Sequence, residues 1–271
     1  MTSENETRVA LVTGASRGIG RAAALALAEA GLDVAVTARS VEGALEETVE
    51  AVRATGRRSL ALPLDLSNVA TIDSAVDAAL ADFGRIDVLM NNAFQLGPAS
   101  NALFLETDIE ELGTTLSANV LSPMRLCQRV LPGMIERKGG VIINVISGGA
   151  LGEPTAAANR GGWSYSYASQ KAAFHKLTGI LHIEHKRDGV AAFSLQPGVV
   201  LTEMLIEAFG DALEAAKERY AMVEPEVPGA AAAWLATADA AAVCSGQAVF
   251  ATRLCRQHGL VPASMLPEAD D

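Results

Sequence analysis

The stretch RVALVTGASRGIGRAAALALAEAG, from Arg8 to Gly31, decides the fold of this chain. Val9 to Thr13 is a short apolar run with β-branched residues, which predicts a buried parallel strand. A glycine-rich turn follows and leads into an Ala/Leu-rich run from Arg21 to Glu29, which has high helix propensity and is followed by Gly31, placed to end the helix. Strand, glycine turn and helix N-terminus together are typical of a phosphate-binding site, although the same pattern alone also fits a purely structural turn.

The turn from Thr13 to Gly20 has the chemistry that a diphosphate requires. Its glycines lack the Cβ atoms that would block close approach, and the helix N-terminus offers free N–H groups and a partial positive charge. The lysine phosphate loop is not matched, because Arg21 and Ala22 follow Gly20. The predicted phosphate-side contacts are Gly14, Ser16, Arg17, Gly18, Ile19 and Gly20.

Composition and charge argue against several classes of protein. The formal net charge is −11, and no Lys/Arg cluster exceeds small pairs such as Arg57-Arg58, so we expect no nucleic-acid partner. The most apolar long stretch, 227–252, contains Pro228 and Asp239, which argues against a membrane span. The polar, acidic start is not a signal peptide, so a cytoplasmic protein is expected. The scattered cysteines and histidines form no metal-binding pattern.

Strand-like and helix-like segments alternate along the whole chain. Strands are predicted at 9–13, 33–38, 58–64, 86–90, 141–146, 190–195 and 247–250. Helices are predicted at 21–29, 42–55, 68–83, 108–137, 165–186, 203–220 and 228–237. This alternation predicts an α/β fold with one doubly wound parallel sheet of seven strands, flanked by helices, and with ligands at the carboxyl ends of the strands. We expect a single domain over 1–271, with tails at 1–7 and 252–271, the second poorly patterned.

The end of the second strand bears on the choice of nicotinamide cofactor. In dinucleotide folds an acidic residue about 20 residues beyond the glycines bonds the ribose hydroxyls. Here that position is Ala38, followed by Arg39 and Ser40. An arginine attracts a 2′-phosphate that a carboxylate would repel, and Arg17 is a second cation on the same side. The sequence therefore favours NADP(H) over NAD(H), unless both arginines are ordinary solvated residues.

Tyr167 and Lys171 stand four residues apart in a predicted helix and so share one face. A free phenol has a pKa near 10 and is a poor base at neutral pH, but a nearby cation favours the phenolate. We therefore expect Lys171 to lower the pKa of Tyr167, which would make Tyr167 an acid/base for an alcohol–carbonyl pair. Taken alone, the spacing also fits a surface helix pair.

Several motifs in order resemble the short-chain dehydrogenase/reductase family over about residues 8–250. They are TGASRGIG from Thr13, Asp65-Leu66, Asn91-Asn92-Ala93, Asn119, Ser147, the YASQK run from Tyr167, and PGVVLT from Pro197. The resemblance implies a Rossmann-type fold and hydride transfer between a nicotinamide and a carbonyl or secondary alcohol.

The resemblance also implies roles for individual residues. Tyr167 would exchange the proton of the substrate oxygen, which Ser147 would also bond. Lys171 would bind the nicotinamide ribose and tune Tyr167, and Asn119 would hold a water that connects Lys171 to solvent. The remaining implied cofactor contacts are Asp65, Leu66, Asn91, Ala93, Val200 and Thr202.

The sequence departs from the family pattern on the substrate side. Phe94 stands where a glycine is usual, and nineteen residues separate Ser147 from Tyr167, several more than usual. The extra loop should rim the active site, and 202–220 should form a mobile lid. We expect a bulky apolar substrate in contact with Phe94, Leu151, Trp163 and Met204.

The resemblance implies a homodimer or homotetramer assembled through helices 108–137 and 165–186. Two other functions stay open on the sequence alone. One is an NADP-binding sensor or scaffold without catalysis, against which the presence of Ser147, Tyr167, Lys171 and Asn119 argues. The other is a related epimerase or dehydratase.

Overall fold

The computed structural model describes residues 7–237, 240 and 243–268. Seven strands form one sheet, and two short strands pair separately. The strands are β1 Val9–Thr13, β2 Asp33–Ala38, β3 Ser59–Pro63, β4 Val88–Asn91, β5 Gly140–Val145, β6 Val190–Gln196, β7 Val199–Val200, β8 Met222–Val223 and β9 Ala248–Phe250.

The α-helices over these residues connect the strands and cover the sheet. They are α1 Gly18–Glu29, α2 Ala44–Ala54, α3 Val69–Phe83, α4 Ile109–Leu116, α5 Ser122–Glu136, α6 Tyr165–His185, α7 Glu203–Phe209, α8 Leu213–Arg219, α9 Glu226–Leu235 and α10 Ala251–His258.

The sheet order is β3-β2-β1-β4-β5-β6-β9, and every pairing is parallel. The order reverses between β1 and β4, which is the switch point where open α/β sheets bind ligands. The predicted doubly wound, Rossmann-type sheet of seven parallel strands is confirmed. That the chain forms one domain stays a prediction, and residues 1–6 and 269–271 of the predicted tails lie outside the described residues.

Helices bury apolar side chains against both faces of the sheet. One core cluster joins α1, α2, α9 and α10 to the sheet and includes Leu27, Val36, Phe193 and Leu235. The other joins α3, α5 and α6 to the opposite face and includes Leu89, Leu126, Ile142 and Leu181. Because both faces are covered, the central strands read as continuous apolar runs rather than as alternating ones.

The long helical region predicted at 108–137 is interrupted in the structure. A π-helical turn over Ser117–Leu121 separates α4 from α5. Pro123 follows directly as the second residue of α5. π-Helical turns are frequent at functional sites, and this one contains Asn119.

The C-terminal region corrects one expectation. The sequence showed no clear pattern from Thr252 onwards, but Ala251–His258 forms α10. Leu254 and Cys255 of this helix are buried in the same core cluster as α9. The pattern is hard to read from sequence because the helix is short and buries only one narrow face.

No helix in the described part of the chain is long and apolar enough to cross a membrane.

Candidate active site at the carboxyl edge of the sheet

The glycine turn between β1 and α1 leaves no room for side chains at its centre. Gly14 and Gly18 have φ angles of +66° and +53°, a region that favours glycine. A Cβ atom on Gly20 would overlap the carbonyl oxygen of Gly14 and lie 2.6 Å from Nδ2 of Asn92. The turn is thus packed tightly at the N-terminus of α1, the kind of place where the diphosphate of a dinucleotide binds.

Asn92 holds this turn in place, a role that the sequence did not reveal. Its Nδ2 donates to the carbonyl oxygens of Thr13 and Gly14 at 2.8 and 3.2 Å. In return, the Thr13 hydroxyl accepts the backbone N–H groups of Asn92 and Ala93 at 2.9 and 3.0 Å. The ends of β1 and β4 are thus joined directly at the switch point.

Asn91 is the last residue of β4 and is buried in the core. Its side chain is buried and donates to Oδ1 of Asn144 at 3.0 Å and to the Cys127 sulfur at 3.5 Å. The amide of Asn144 in turn donates to the Thr178 hydroxyl. The Asn91 side chain therefore packs between the sheet and α5, and its predicted contact with the cofactor stays a prediction.

Two arginines lie at the ends of β1 and β2, as the sequence predicts. Arg39 and Ser40 are exposed just beyond β2. Arg39 is close enough to Asp65 to help lower the pKa of that carboxyl, although hydrogen bonds from Ser67 are the larger cause. Arg17 forms a 3.9 Å ion pair with Glu207 of α7. Both arginines are exposed to solvent.

The other predicted cofactor contacts differ in exposure. Leu66 and Val200 are buried, whereas Ser16 and Ile19 are partly exposed in the turn. Thr202 caps α7 by accepting the N–H of Leu205, and its methyl group would lie 2.9 Å from a Cβ on Gly18. The first turn of α7 therefore packs on the glycine turn.

The start of α6 fixes the two residues expected to carry the chemistry. The Ser164 hydroxyl accepts the N–H of Tyr167 at 3.1 Å and donates to the Ser100 carbonyl at 2.7 Å. This N-cap sets where the helix begins, so Tyr167 and Lys171 lie one turn apart on the same face.

The structure corrects the expected electrostatics of Tyr167. Burial raises the pKa of its phenol above the ordinary value of 10, and a hydrogen bond with Ser147 opposes this only in part. The expectation that Lys171 lowers this pKa is wrong for this structure, because no charge on Lys171 contributes to it. At neutral pH the phenol is therefore protonated and can donate a proton.

Lys171 is almost completely buried, with 5% of its surface exposed. Its Nζ donates to the Val145 carbonyl at 2.9 Å. Burial lowers its pKa to about 7, because a charged ammonium is poorly solvated there. The amine thus exchanges its proton near neutral pH instead of acting as a permanent cation.

Phe94 contacts both of these residues. Its ring centroid lies 5.4 Å from that of Tyr167 in an edge-to-face arrangement. Nζ of Lys171 lies 4.2 Å from the centre of the same ring. The residue predicted to line the substrate pocket is therefore packed against the candidate proton donor and its lysine neighbour.

Asn119 is the centre of a buried amide cluster. Its side chain accepts the N–H of Gln95 at 2.7 Å and donates to the Gln95 carbonyl at 2.8 Å. It also donates to Oε1 of Gln170 at 2.6 Å, and Gln170 donates to Thr115 and Ser166. Both amide protons of Asn119 are thus engaged by the protein, and its expected water-holding role stays a prediction.

Gln170 is a second residue that sequence reasoning missed. It lies inside the YASQK run but faces away from Tyr167 and Lys171, toward Asn119. A polar residue just before a helix lysine gives no signal of its own. Only the fold shows that this glutamine is buried and satisfied at both ends.

The extra loop and α7 carry three of the residues predicted to contact the substrate, Leu151, Trp163 and Met204. Ser147 accepts the Gly149 N–H, and the Trp163 ring packs on the backbone of Gly148 and Gly149. Leu151 and Met204 are 38% and 46% exposed on the loop and on α7. A separate cleft of about 500 Å³ lies between residues 159–161 of the loop and residues 209–220, and none of the predicted catalytic or substrate-lining residues lines it.

The remaining titratable groups do not suggest other chemistry. Over the described residues, no group of three or more metal-binding side chains comes together. The three cysteines are free, and burial raises the pKa of Cys127 to about 12 and that of Cys255 to about 11. Such thiols are unreactive near neutral pH.

Comparison with known proteins defines the class to which this fold and site belong. Residues 8–212 match the family of short chain dehydrogenases. A 3-oxoacyl-[acyl-carrier-protein] reductase from Synechocystis is 32% identical over 241 residues, which cover 89% of this chain and 93% of the relative. The chain belongs to the short-chain dehydrogenase/reductase family.

Further relatives agree with this assignment. The 3beta-hydroxysteroid dehydrogenase 1 of Eggerthella lenta is 31% identical over 92% of this chain and 94% of its own length. The crystal structure of acetoin dehydrogenase from Enterobacter cloacae superposes with a TM-score of 0.78 at 29% identity, over 90% of this chain and 93% of that one. The protein is thus an oxidoreductase that acts on a small molecule with a nicotinamide cofactor.

Proposed function

We propose that this protein is an NADP(H)-dependent reductase of carbonyl groups that also runs in reverse on secondary alcohols. The observation that carries the proposal is the arrangement of Ser147, Tyr167 and Lys171 around the carboxyl end of β5. A protonated phenol, a neighbouring hydroxyl and a buried amine form the set that carbonyl reduction requires. Nothing favours the alternative of a silent sensor or scaffold.

The chain's own residues account for the protein side of this reaction. Tyr167 donates its phenolic proton to the carbonyl oxygen, and Ser147 donates a hydrogen bond that stabilises the developing charge. Lys171, with a pKa of about 7, can pass a proton toward Tyr167 after the transfer. When bound, a reduced nicotinamide would supply the hydride. The glycine turn and the start of α1 would hold its diphosphate, and Lys171 its ribose.

The preference for NADP(H) rests on Arg17 and Arg39. No acidic side chain occupies the position after β2 where a carboxylate would bond the ribose hydroxyls. Two exposed guanidinium groups at this edge favour a 2′-phosphate. Asp65 lies next to Arg39 but is held by Ser67, which leaves the guanidinium free to turn toward a phosphate.

The proposed substrate has a bulky apolar group beside its carbonyl or alcohol carbon. Phe94 lies against Tyr167, and Trp163 lies against the turn that follows Ser147, so both rings border the proposed reacting atoms. The exposed side chains of Leu151 and Met204 extend this apolar surface outward. A relative named as a hydroxysteroid dehydrogenase agrees with a substrate of this kind.

A homodimer or homotetramer is proposed on the basis of an exposed apolar surface. Leu121 and Met124, at the junction with α5, and Ile180 and Ile183 of α6 are 40–66% exposed. These helices are the ones through which the family resemblance implies assembly. The free cysteines agree with a cytoplasmic protein, because thiols persist in a reducing compartment.

The test is a carbonyl panel assayed with NADPH and with NADH. We expect NADPH to bind more tightly, and Arg39→Asp to reverse the preference by about tenfold or more, because a carboxylate repels the 2′-phosphate. Tyr167→Phe should lower turnover by about 10²- to 10⁴-fold while cofactor binding persists. Equal affinity for NADH would contradict the proposed cofactor preference, and turnover only of small charged substrates would contradict the proposed substrate class. Full activity of Tyr167→Phe would contradict the proposed reaction mechanism as a whole.

A further inference from the structure

The ring of Phe94 contacts both the Tyr167 phenol and the Lys171 amine. It lies three residues beyond the end of β4, in the position where the family usually has glycine. The ring contacts the Tyr167 ring edge-to-face at 5.4 Å and lies 4.2 Å from Nζ of Lys171. A glycine here would leave both groups without this neighbour.

The backbone on either side of Phe94 is anchored. On one side, the N–H of Ala93 donates to the Thr13 hydroxyl at 3.0 Å. On the other, the N–H and carbonyl of Gln95 both bond the buried side chain of Asn119. The position of the ring is therefore set by contacts of its neighbours, and Asn119 acts on the site through the backbone of Gln95.

The surroundings of Tyr167 and Lys171 contain little charge. From α6, His175 lies one turn beyond Lys171 and bonds Ser194. From the turn after β5, Ser147 bonds the phenol. No acidic side chain contributes to the pKa of either group over the described residues, and burial is the largest cause for both. What excludes water from the pair therefore decides its proton affinity.

We propose that Phe94 is a positioning residue for the pair: its ring holds the Tyr167 phenol and the Lys171 amine against one apolar surface and keeps water from both. Its face attracts the ammonium by a cation–π interaction, but the ring also removes the hydration that a phenolate needs. The consequence is a phenol that stays protonated, which is the form that donates the proton in the proposed carbonyl reduction. The role in carbonyl reduction rests on the proposed function, whereas the protonation of Tyr167 can be measured on the protein without cofactor or substrate.

The experiment is a pH titration of phenolate absorbance in the near ultraviolet. The chain has three tyrosines, so Tyr167 is isolated by subtracting the titration of a Tyr167→Phe variant in each background. Phe94→Gly should lower the pKa of Tyr167 by about one unit, because water then reaches the phenol and solvates the phenolate. Phe94→Leu, which stays apolar and bulky, should leave it nearly unchanged.

The outcomes separate this proposal from the proposed function. A wild-type Tyr167 that titrates like an exposed tyrosine, or a Phe94→Gly variant that titrates like the wild type, would overturn it. An equal shift in Phe94→Leu would also overturn it, because that side chain still excludes water. If Phe94→Gly does not fold, Phe94→Ala gives the same test with less backbone freedom. Absence of carbonyl turnover would overturn the proposed function while leaving this titration intact.

Discussion

The two halves of the site, one at β1 and one at α6, are built by different means. At β1, the glycine turn depends on close packing of the backbone: a Cβ on Gly20 would overlap the Gly14 carbonyl oxygen, and one on Gly18 would press on Thr202. At α6, side chains do the work, and Tyr167, Lys171, Phe94 and Asn119 are each fixed by another side chain or by burial. The β1 half therefore depends on backbone geometry, whereas the α6 half depends on the burial and pKa values of side chains.

This difference shows why the two halves respond differently to substitution. A turn that depends on close backbone approach fails when a single Cβ is added, because the backbone cannot yield. A cluster of buried side chains fails when a polar partner is removed, because the remaining groups lose their hydrogen bonds without gaining water. Three substitutions, from the largest expected effect to the smallest, test this contrast.

Gly20→Ala should have the largest effect. The added Cβ would overlap the Gly14 carbonyl oxygen, so we expect a loss of about 1–3 kcal/mol in the free energy of unfolding and at least about a tenfold loss in NADPH affinity. Chemical denaturation measures the free energy of unfolding, and fluorescence titration measures the NADPH affinity. Gly113→Ala is the matched control, since it lies in α4 with open space around its Cβ and should not destabilise the protein. Equal behaviour of the two variants would mean that the turn tolerates side chains.

Asn119→Ala should lower the affinity for the cofactor less than Gly20→Ala does, but it should disturb the side chains around α6. It leaves the backbone groups of Gln95 and the amide of Gln170 without their partner, for a cost of about 2 kcal/mol in unfolding free energy. Release of Phe94 should also lower the pKa of Tyr167 in the phenolate titration. Thr114→Ala, an exposed change in α4, should stay within about 0.5 kcal/mol of the wild type. A stable Asn119→Ala variant with an unchanged titration would show that the amide cluster does not position the ring.

Glu207→Gln should have the smallest effect. Its carboxylate pairs with Arg17 at 3.9 Å, with both side chains more than half exposed, so the pair contributes less than about 1 kcal/mol. Removing it frees Arg17, and we expect NADPH affinity to rise by up to about fivefold, with no change for NADH. Glu214→Gln, which removes a carboxylate that pairs with Lys217 instead, is the control. An equal rise for NADH would show that Arg17 does not distinguish the two cofactors.

Much of the fold was predictable because local patterns and global topology agree. The bounds of β1 and β2 match the prediction residue for residue, since short apolar runs flanked by glycine or polar residues leave few alternatives. α10 was missed, because its buried face is defined by packing against α9, and a short sequence window does not show that contact.

The candidate site was predictable in its members but not in its energetics. Tyr167 and Lys171 lie one turn apart on α6, Ser147 influences the pKa of Tyr167, and the catalytic roles of all three stay predictions. The structural roles of Asn92 and Gln170 were missed, and so was the buried hydrogen bond between Asn91 and Asn144. The direction in which a side chain points depends on strand register and helix phase, which a motif does not specify.

The sequence by itself determined the order of strands and helices, the glycine turn and the identity of the residues that meet at the carboxyl edge, because these follow from spacing and from the missing side chains of glycine. Only the tertiary structure decided how those residues behave. It buried Lys171 until its pKa fell to about 7, and it raised the pKa of Tyr167 instead of lowering it. The reason is that desolvation depends on what surrounds a group in space, and here Phe94 belongs to another segment of the chain.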